Sequence, residues 1–242
     1  MYRVLAHILS QQYSSSWRLR VGIGERIELG LFKWRTWRNM HRVGAIGDFY
    51  RGGGQKQLYE NLPLKTDDLV VDGGGYQGGW TDEMLCLYGC RSIIFEPVPL
   101  FAEFLRKRYA YNGRVEVFEA ALANRAGLSP IAFSQDGSSI FSAPSGADMF
   151  DVCLLDFCAF LQKRGIGELA CLKLNIEGGE YDVMEQFISL DLLNMVRCLL
   201  VQFHRIEPES EARRELIQKS LRKTHQCRFD YPFVWECWIR SE

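Results

Sequence analysis

Strand-length apolar runs alternate with helical segments between residues 67 and 223, and this alternation restricts the folds that the chain can adopt. It indicates a parallel sheet covered by helices on both faces, because strands in such a sheet are buried on both sides. We therefore predict an α/β fold with a doubly wound, mostly parallel sheet. The predicted strands are LVVD, SIIFEP, VEVFEAAL, ACLKLNIE and VRCLLVQFH.

The segments outside this alternation complete the predicted organisation. The tail QCRFDYPFVWECWIR predicts an antiparallel pair at the edge of the sheet, and residues 127–150 predict a hairpin and a loop. Residues 1–62 contain short helical patterns broken by YSSS, GIG and RGGG. We therefore predict an N-terminal helical extension or lid over residues 1–62 and one main domain over residues 63–242, a length that suits a single core.

Charge and cysteine usage limit the partners and the compartment. The formal net charge is -1, so the chain as a whole has no basic field of the kind that binds a phosphate backbone, and we expect no nucleic acid partner. The eight cysteines form no CxxC pair, and most lie in apolar runs, which is typical of a reducing compartment. With no secretory signal and no apolar run of about 18 residues, we expect a cytoplasmic protein without a transmembrane segment.

The stretch DDLVVDGGGYQGGW, residues 67–80, leads from the first predicted strand into a glycine cluster and a helix. Ligands of doubly wound sheets bind at the carboxyl ends of the strands, where glycine allows close approach to the backbone. Gly73, Gly75 and Gly78 spell GxGxxG, and Glu96 ends the second strand at the spacing of an acid that binds ribose hydroxyls. The same pattern also fits a tight turn that holds no ligand.

Two ligands compete for this loop, a dinucleotide and S-adenosylmethionine. A dinucleotide places its pyrophosphate at the helix N-terminus, where the carboxylate of Asp72 is an unfavourable neighbour. S-adenosylmethionine instead carries a sulfonium and an ammonium group, which suit Asp72 and the acids Asp82 and Glu83 of the helix. These charges favour the methyl donor. The alternative is a Rossmann NAD(P)-dependent oxidoreductase.

Four segments of the chain follow the order of a known family: VVDGGGYQGG, IIFEPVPLF, VEVFEAALANRAG and CLKLNIEGGEYDVM. Together they resemble the FkbM-type S-adenosylmethionine-dependent methyltransferases, over about residues 68–205. The resemblance implies a class I methyltransferase (Rossmann-like) fold and transfer of a methyl group to a hydroxyl of a sugar, polyketide or related small metabolite. By position, Asp72, Gly74 and Gly78 match the donor loop of the family, and Glu96 matches its ribose acid.

The donor and substrate residues are predicted from these strand ends. Tyr76 follows the glycines, and its ring could attract a sulfonium. The predicted cofactor-binding residues are Asp72, Gly73, Gly74, Gly75, Tyr76, Gln77, Gly78, Glu96, Pro97, Ala120 and Ala121. The predicted substrate-binding residues are Ser138 and Ser139 of the hairpin and Glu180 on the helix after the fourth strand.

The fourth strand supplies candidate catalytic residues. Lys173, Glu177, Gly178 and Glu180 match the later motif of the family, whereas Asn175 stands where the family usually has an acid. Lys173, Asn175 and Glu177 alternate along the chain and therefore share one face of the strand. A lysine in a buried strand usually needs a carboxylate partner, so a structural ion pair is the alternative role for Lys173.

A hydroxyl acceptor must lose its proton during methyl transfer, which requires a base within reach. His204 ends the fifth predicted strand, and its unperturbed pKa of about 6.5 suits a base at neutral pH. The predicted catalytic residues are His204, Asn175, Glu177 and Lys173. Because Asn175 cannot act as a base, a catalytically inactive donor-binding protein is a further alternative.

S-adenosylmethionine is the expected cofactor, and the sequence gives no support for a divalent metal. The expected partner is a small-molecule acceptor, such as a glycan or a lipid-linked precursor. Residues 1–62 contain Trp17, Trp34 and Trp37 and a surplus of positive charge, and we expect this segment to cover the acceptor side of the site.

Overall fold

The computed structural model describes residues 44–132 and 149–241 of the chain. Its helices are α1 Gly44–Arg51, α2 Gly54–Gln57, α3 Gly79–Tyr88, α4 Pro99–Arg108, α5 Phe157–Lys163, α6 Glu180–Ser189 and α7 Ser210–Leu221, with a 3-10 turn at Leu193–Met195. Its strands are β1 Leu69–Gly73, β2 Arg91–Phe95, β3 Val115–Phe118, β4 Ala121–Ala123, β5 Gly127–Ala132, β6 Met149–Asp156, β7 Cys171–Leu174, β8 Cys198–Val201, β9 His225–Tyr231 and β10 Trp235–Arg240.

Seven strands form the central sheet in the order β3-β2-β1-β7-β8-β10-β9. The first five of these pair in parallel, and β10 runs antiparallel to both β8 and β9. The predicted doubly wound, mostly parallel sheet is therefore confirmed. From β1 the chain adds β2 and then β3 on one side of the sheet, whereas β7 and β8 lie on the other side of β1. The direction in which successive strands are added therefore reverses between β1 and β7. A crevice at the carboxyl ends of these two strands is where such sheets bind ligands.

Three predicted elements differ in detail. The run VEVFEAAL divides into β3 and β4, and β4 joins a second sheet of order β4-β6-β5. In the region of the predicted hairpin, β5 pairs antiparallel with β6, but β6 extends to Asp156, beyond the predicted segment 127–150. The helix after β6 begins at Phe157, where Asp156 caps it by accepting a hydrogen bond from the Ala159 amide at 3.0 Å. In the tail, only β9 lies at the edge, since β10 inserts between β8 and β9.

Apolar side chains cover both faces of the central sheet. Alternate residues of one strand point to opposite faces, so Val71 packs in one cluster with Phe187 and Trp238, while Val70 packs in another with Trp80. This second cluster also contains Phe49, Leu58 and Leu62, all buried. Residues 43–242 form one compact unit. None of the described helices is long and apolar enough to cross a membrane.

Candidate active site

The glycine loop after β1 turns tightly against the end of β7. The Gly74 amide donates to the carbonyl oxygen of Phe95 at 2.9 Å, which holds the loop to β2 as well. Gly74 has a φ of 79°, and a Cβ at this position would overlap the carbonyl oxygen of Asn175. Gly78 has a φ of 83°, and a Cβ there would overlap the hydroxyl of Tyr109. Glycine is therefore required by both conformation and space.

We expect Gly74→Ala to destabilise the protein by about 2 kcal/mol or more, because it combines a left-handed φ with a backbone overlap. Urea denaturation measures this loss. The matched control is Gly79→Ala at the first residue of α3, where no atom lies within 4 Å of the added Cβ. Since alanine favours helix, the control should change stability by no more than about 1 kcal/mol. Equal effects of the two substitutions would contradict the overlap.

Asp72 lies at the carboxyl end of β1, fully buried, and both of its carboxylate oxygens have partners. Lys173 Nζ donates to Oδ1 at 2.8 Å, and Thr81 Oγ donates to Oδ2 at 2.8 Å. The remaining Lys173 donors reach the carbonyl oxygens of Gly73 at 3.1 Å and Gly74 at 2.8 Å. Lys173 therefore joins β7 to the glycine loop and neutralises Asp72, which is the structural role that the sequence left open.

Glu96 follows β2 and is 4% exposed. Its Oε2 accepts from the Tyr76 amide at 2.8 Å, and its Oε1 accepts from the Val98 amide at 2.9 Å. Burial raises the pKa of Glu96, while these two amides and Lys173 act in the opposite direction. Each carboxylate oxygen can accept a second hydrogen bond, so Glu96 retains capacity for ligand hydroxyls.

The remaining predicted donor residues lie in the glycine loop, directly after β2, and at the end of β3 and start of β4. Tyr76 has a φ of 49° and packs edge-to-face on Phe101, with ring centroids 4.6 Å apart. Gln77 is exposed on the loop, and Pro97 is half-buried beside Glu96. Further along the same edge, Ala120 is buried between β3 and β4 and Ala121 begins β4; Gly75 packs against Ile94 within the loop.

Asn175 directly follows β7, and its amide donates to the carbonyl oxygen of Gly73 at 3.1 Å. Its side-chain Oδ1 is buried and has no hydrogen-bond partner among the described residues. A buried hydrogen-bond acceptor without a partner lowers the stability of the folded state by about 1–3 kcal/mol. Asn175 Oδ1 is therefore suited to accept a hydrogen bond from an N–H or O–H group of a ligand.

Glu180, His204 and Glu177 form a cluster where β7 and β8 lead into their helices. Glu180 Oε1 lies 2.9 Å from His204 Nδ1, and the same carboxylate accepts from the amides of Ile176 and Gly178, each at 2.8 Å. Glu177 has a φ of 53°, and its Oε1 lies 3.5 Å from His204 Nε2. The backbone conformation of Glu177 is one that tertiary contacts must maintain.

Two pKa values in this cluster lie above their usual range. Burial alone lowers the pKa of His204, but the hydrogen bond and charge of Glu180 and the charge of Glu177 outweigh it and raise the pKa above 6.5. Burial raises the pKa of Glu177, although His204 opposes this. The imidazole therefore holds a proton more strongly than a free histidine does.

The structure thus brings the predicted donor and catalytic residues to adjoining strand ends, and it assigns Glu180 contacts inside the protein. Ser138 and Ser139 lie outside the described residues. Sequence reasoning missed Thr81, which binds Asp72, and Tyr109, whose hydroxyl donates to the Gly78 carbonyl at 2.9 Å. Only the packing of helices on the sheet reveals these two partners. Within the described ranges, no three His, Cys, Asp or Glu side chains are arranged to hold a metal ion.

The parallel sheet with an antiparallel strand inserted near one edge, and the glycine loop after its first strand, define a class I methyltransferase fold. The sequence matches the methyltransferase FkbM domain over residues 72–231. The chain belongs to this methyltransferase family, as the sequence motifs predicted.

Solved structures with a similar arrangement have low sequence identity to the chain. An rRNA methylase from Streptococcus thermophilus has 10% identity and a TM-score of 0.45, covering 78% of this chain and 95% of its own. A precorrin-6y C5,15-methyltransferase from Geobacter metallireducens has 10% identity and a TM-score of 0.43, covering 77% and 87%. No curated protein sequence matches the chain.

Proposed function

We propose that the protein is an S-adenosylmethionine-dependent O-methyltransferase that acts on a hydroxyl of a small molecule such as a sugar or a polyketide. The observation that carries this proposal is the pairing of His204 with buried Glu180 at the end of β8, two strands from the glycine loop of β1. This arrangement supplies a candidate base beside the candidate donor site. The family match supports methyl transfer itself.

The residues at the ends of β1, β2 and β7 suit the methyl donor. Glu96 retains acceptor capacity for ribose hydroxyls, and the unpaired Oδ1 of Asn175 offers an acceptor on the other side of the glycine loop. Asp72 is neutralised by Lys173, so its direct contact with the donor stays a prediction. When bound, S-adenosylmethionine supplies a methyl group activated by its sulfonium.

His204 provides the route for the acceptor proton in this proposal. In this role the unprotonated Nε2 of His204 would accept the proton that the acceptor hydroxyl loses, while bound S-adenosylmethionine would supply the methyl group to the oxygen and retain the C–S electron pair. Glu177, close to Nε2, stabilises the resulting imidazolium. Asn175 cannot take the proton and contributes positioning only. The predicted base is therefore kept at His204.

A small-molecule acceptor is favoured by the distribution of charge. Residues 1–42 contain 8 Lys or Arg and 2 Asp or Glu, which leaves 21 and 28, respectively, for residues 43–242. The unit that contains the site is therefore acidic and would repel a phosphate backbone. A cytoplasmic location is proposed because all eight cysteines are free thiols, five of them buried.

Isothermal titration with S-adenosylhomocysteine, NAD and NADP tests the donor. Of these three ligands, we expect only S-adenosylhomocysteine to show saturable binding. Glu96→Gln should weaken this binding by about tenfold or more, because the single oxygen of a glutamine side chain cannot accept hydrogen bonds from the Tyr76 and Val98 backbone amides and from the ribose hydroxyls. Glu103→Gln on the exposed face of α4 is the control and should bind as wild type. Binding of a nicotinamide cofactor without S-adenosylhomocysteine would favour the oxidoreductase. Binding without methyl transfer to any hydroxyl acceptor would favour the inactive donor-binding protein.

A further inference from the structure

The carboxylate of Glu180 is fully buried although it begins a helix. An acid on a first helical turn is usually explained by the helix dipole, which needs no burial. Here the carboxylate turns back from α6 and binds the amides of Ile176 and Gly178 as well as the imidazole of His204. It therefore connects the loop after β7 to the segment after β8.

These contacts determine which imidazole nitrogen carries the proton. An ionised carboxylate only accepts hydrogen bonds, so the 2.9 Å contact requires a proton on Nδ1 of His204. In the neutral imidazole, Nε2 then has the free electron pair. This nitrogen lies on the side of Glu177, which is about one-third exposed, whereas Glu180 is sealed from solvent.

We propose that Glu180 is a positioning residue, which fixes the orientation and the tautomer of His204 so that Nε2 removes the proton of the acceptor hydroxyl. This inference rests on the proposed function. The two amide contacts give the carboxylate a fixed place, and a fixed carboxylate restricts rotation of the ring that it binds. A helix cap alone would need only the amides.

The surroundings of His204 define the groups that set its charge. Glu180 on α6 and Glu177 in the loop after β7 contribute negative charge, and a hydrogen bond to the Gln202 backbone also raises the pKa of His204. The hydroxyl of Tyr181 donates to the His204 carbonyl oxygen at 2.9 Å, and Arg213 of α7 lies over the Tyr181 ring at 4.9 Å. Arg213 is itself paired with three acids, Asp182, Glu185 and Glu207.

Nitrogen-15 NMR of the imidazoles in the wild-type protein, without donor or acceptor, tests the tautomer directly. We expect neutral His204 to carry its proton on Nδ1. A proton on Nε2 would overturn the proposal. Because this measurement uses the wild-type chain, it tests the tautomer of His204 even if substitution of Glu180 prevents folding.

Glu180→Gln tests the coupling between the two side chains. Removing the negative charge should lower the pKa of His204 in NMR titration, and the acid limb of kcat/KM should move to lower pH with it. Turnover should fall about tenfold or more, since a glutamine amide can both accept and donate and therefore pairs with Nδ1 in either tautomer of His204. The matched control is Glu185→Gln on the same helix, where the carboxylate is half-exposed and pairs with Arg213, and the His204 pKa should stay unchanged.

Two outcomes separate this inference from the proposed function. Loss of turnover in Glu180→Gln with an unchanged His204 pKa would assign Glu180 to helix capping alone and overturn the inference. Failure of the wild-type protein to bind S-adenosylhomocysteine would instead remove the proposed function, whatever the tautomer of His204. His225 provides an internal reference, because its pKa is lowered by burial and it lies away from Glu180, against the carbonyl oxygen of Val196.

Discussion

His204→Gln is expected to lower turnover by about 10²-fold or more while S-adenosylhomocysteine affinity stays at the wild-type value. Glutamine can keep a hydrogen bond to Glu180 but cannot take a proton, so the substitution removes the base with little change in shape. Steady-state kinetics and isothermal titration measure the two effects. Arg205→Gln is the neighbouring control, since that side chain is exposed and pairs with Glu211.

The pH dependence of the wild-type enzyme follows from the raised pKa of His204. If His204 is the base, as proposed, it works in its neutral form, and turnover should rise with pH through a value above 6.5. The contribution of His204 to the free energy of unfolding changes with pH in the opposite direction. Because its pKa is raised in the folded protein, this stabilisation is complete below the pKa of the unfolded state and is lost as pH rises through the pKa of the folded state. Full activity of His204→Gln would contradict this role, and inactivity of Glu177→Gln beside it would transfer the base to Glu177.

Lys173→Met is expected to destabilise the protein by about 3–5 kcal/mol, which is the usual effect of removing one partner of a buried ion pair. The substitution leaves Asp72 as a buried charge with only Thr81 as a side-chain partner, and it frees the Gly73 and Gly74 carbonyl oxygens. Urea denaturation at neutral pH measures the loss. Lys107→Met is the control, because its pair with Glu103 is exposed and should contribute no more than about 1 kcal/mol.

A double substitution distinguishes charge from packing. Asp72→Asn combined with Lys173→Met removes both charges, so it should recover a large part of the stability lost in Lys173→Met alone. A double variant as unstable as the sum of the two single variants would show that the two residues act independently. A loss below about 1 kcal/mol in Lys173→Met would mean that the pair contributes no more than a surface pair.

The sequence alone determined the parallel strands and the place of the glycine loop. Apolar runs of strand length and helical spacing are local signals, and the five predicted strands of the parallel sheet correspond to β1, β2, β3, β7 and β8, although the third run also contains β4 of the second sheet. The glycine loop is also a local signal. The turn after Asp72 requires glycine at positions 74 and 78, where φ is positive and a Cβ would overlap neighbouring atoms. Motif order along residues 68–205 then indicated the family, which the match over residues 72–231 confirms.

Tertiary structure alone decided which side chains meet. Asp72 and Lys173 lie 101 positions apart, and their pairing follows from the parallel register of β1 and β7. Glu180 and His204 lie 24 positions apart and meet because β7 and β8 are neighbours with their carboxyl ends at one edge. The position of β10 between β8 and β9 is likewise set by which strands pair in the folded sheet. Local sequence specifies strands and turns through backbone propensity and spacing, whereas contacts between distant residues depend on strand order and register, which no local pattern encodes.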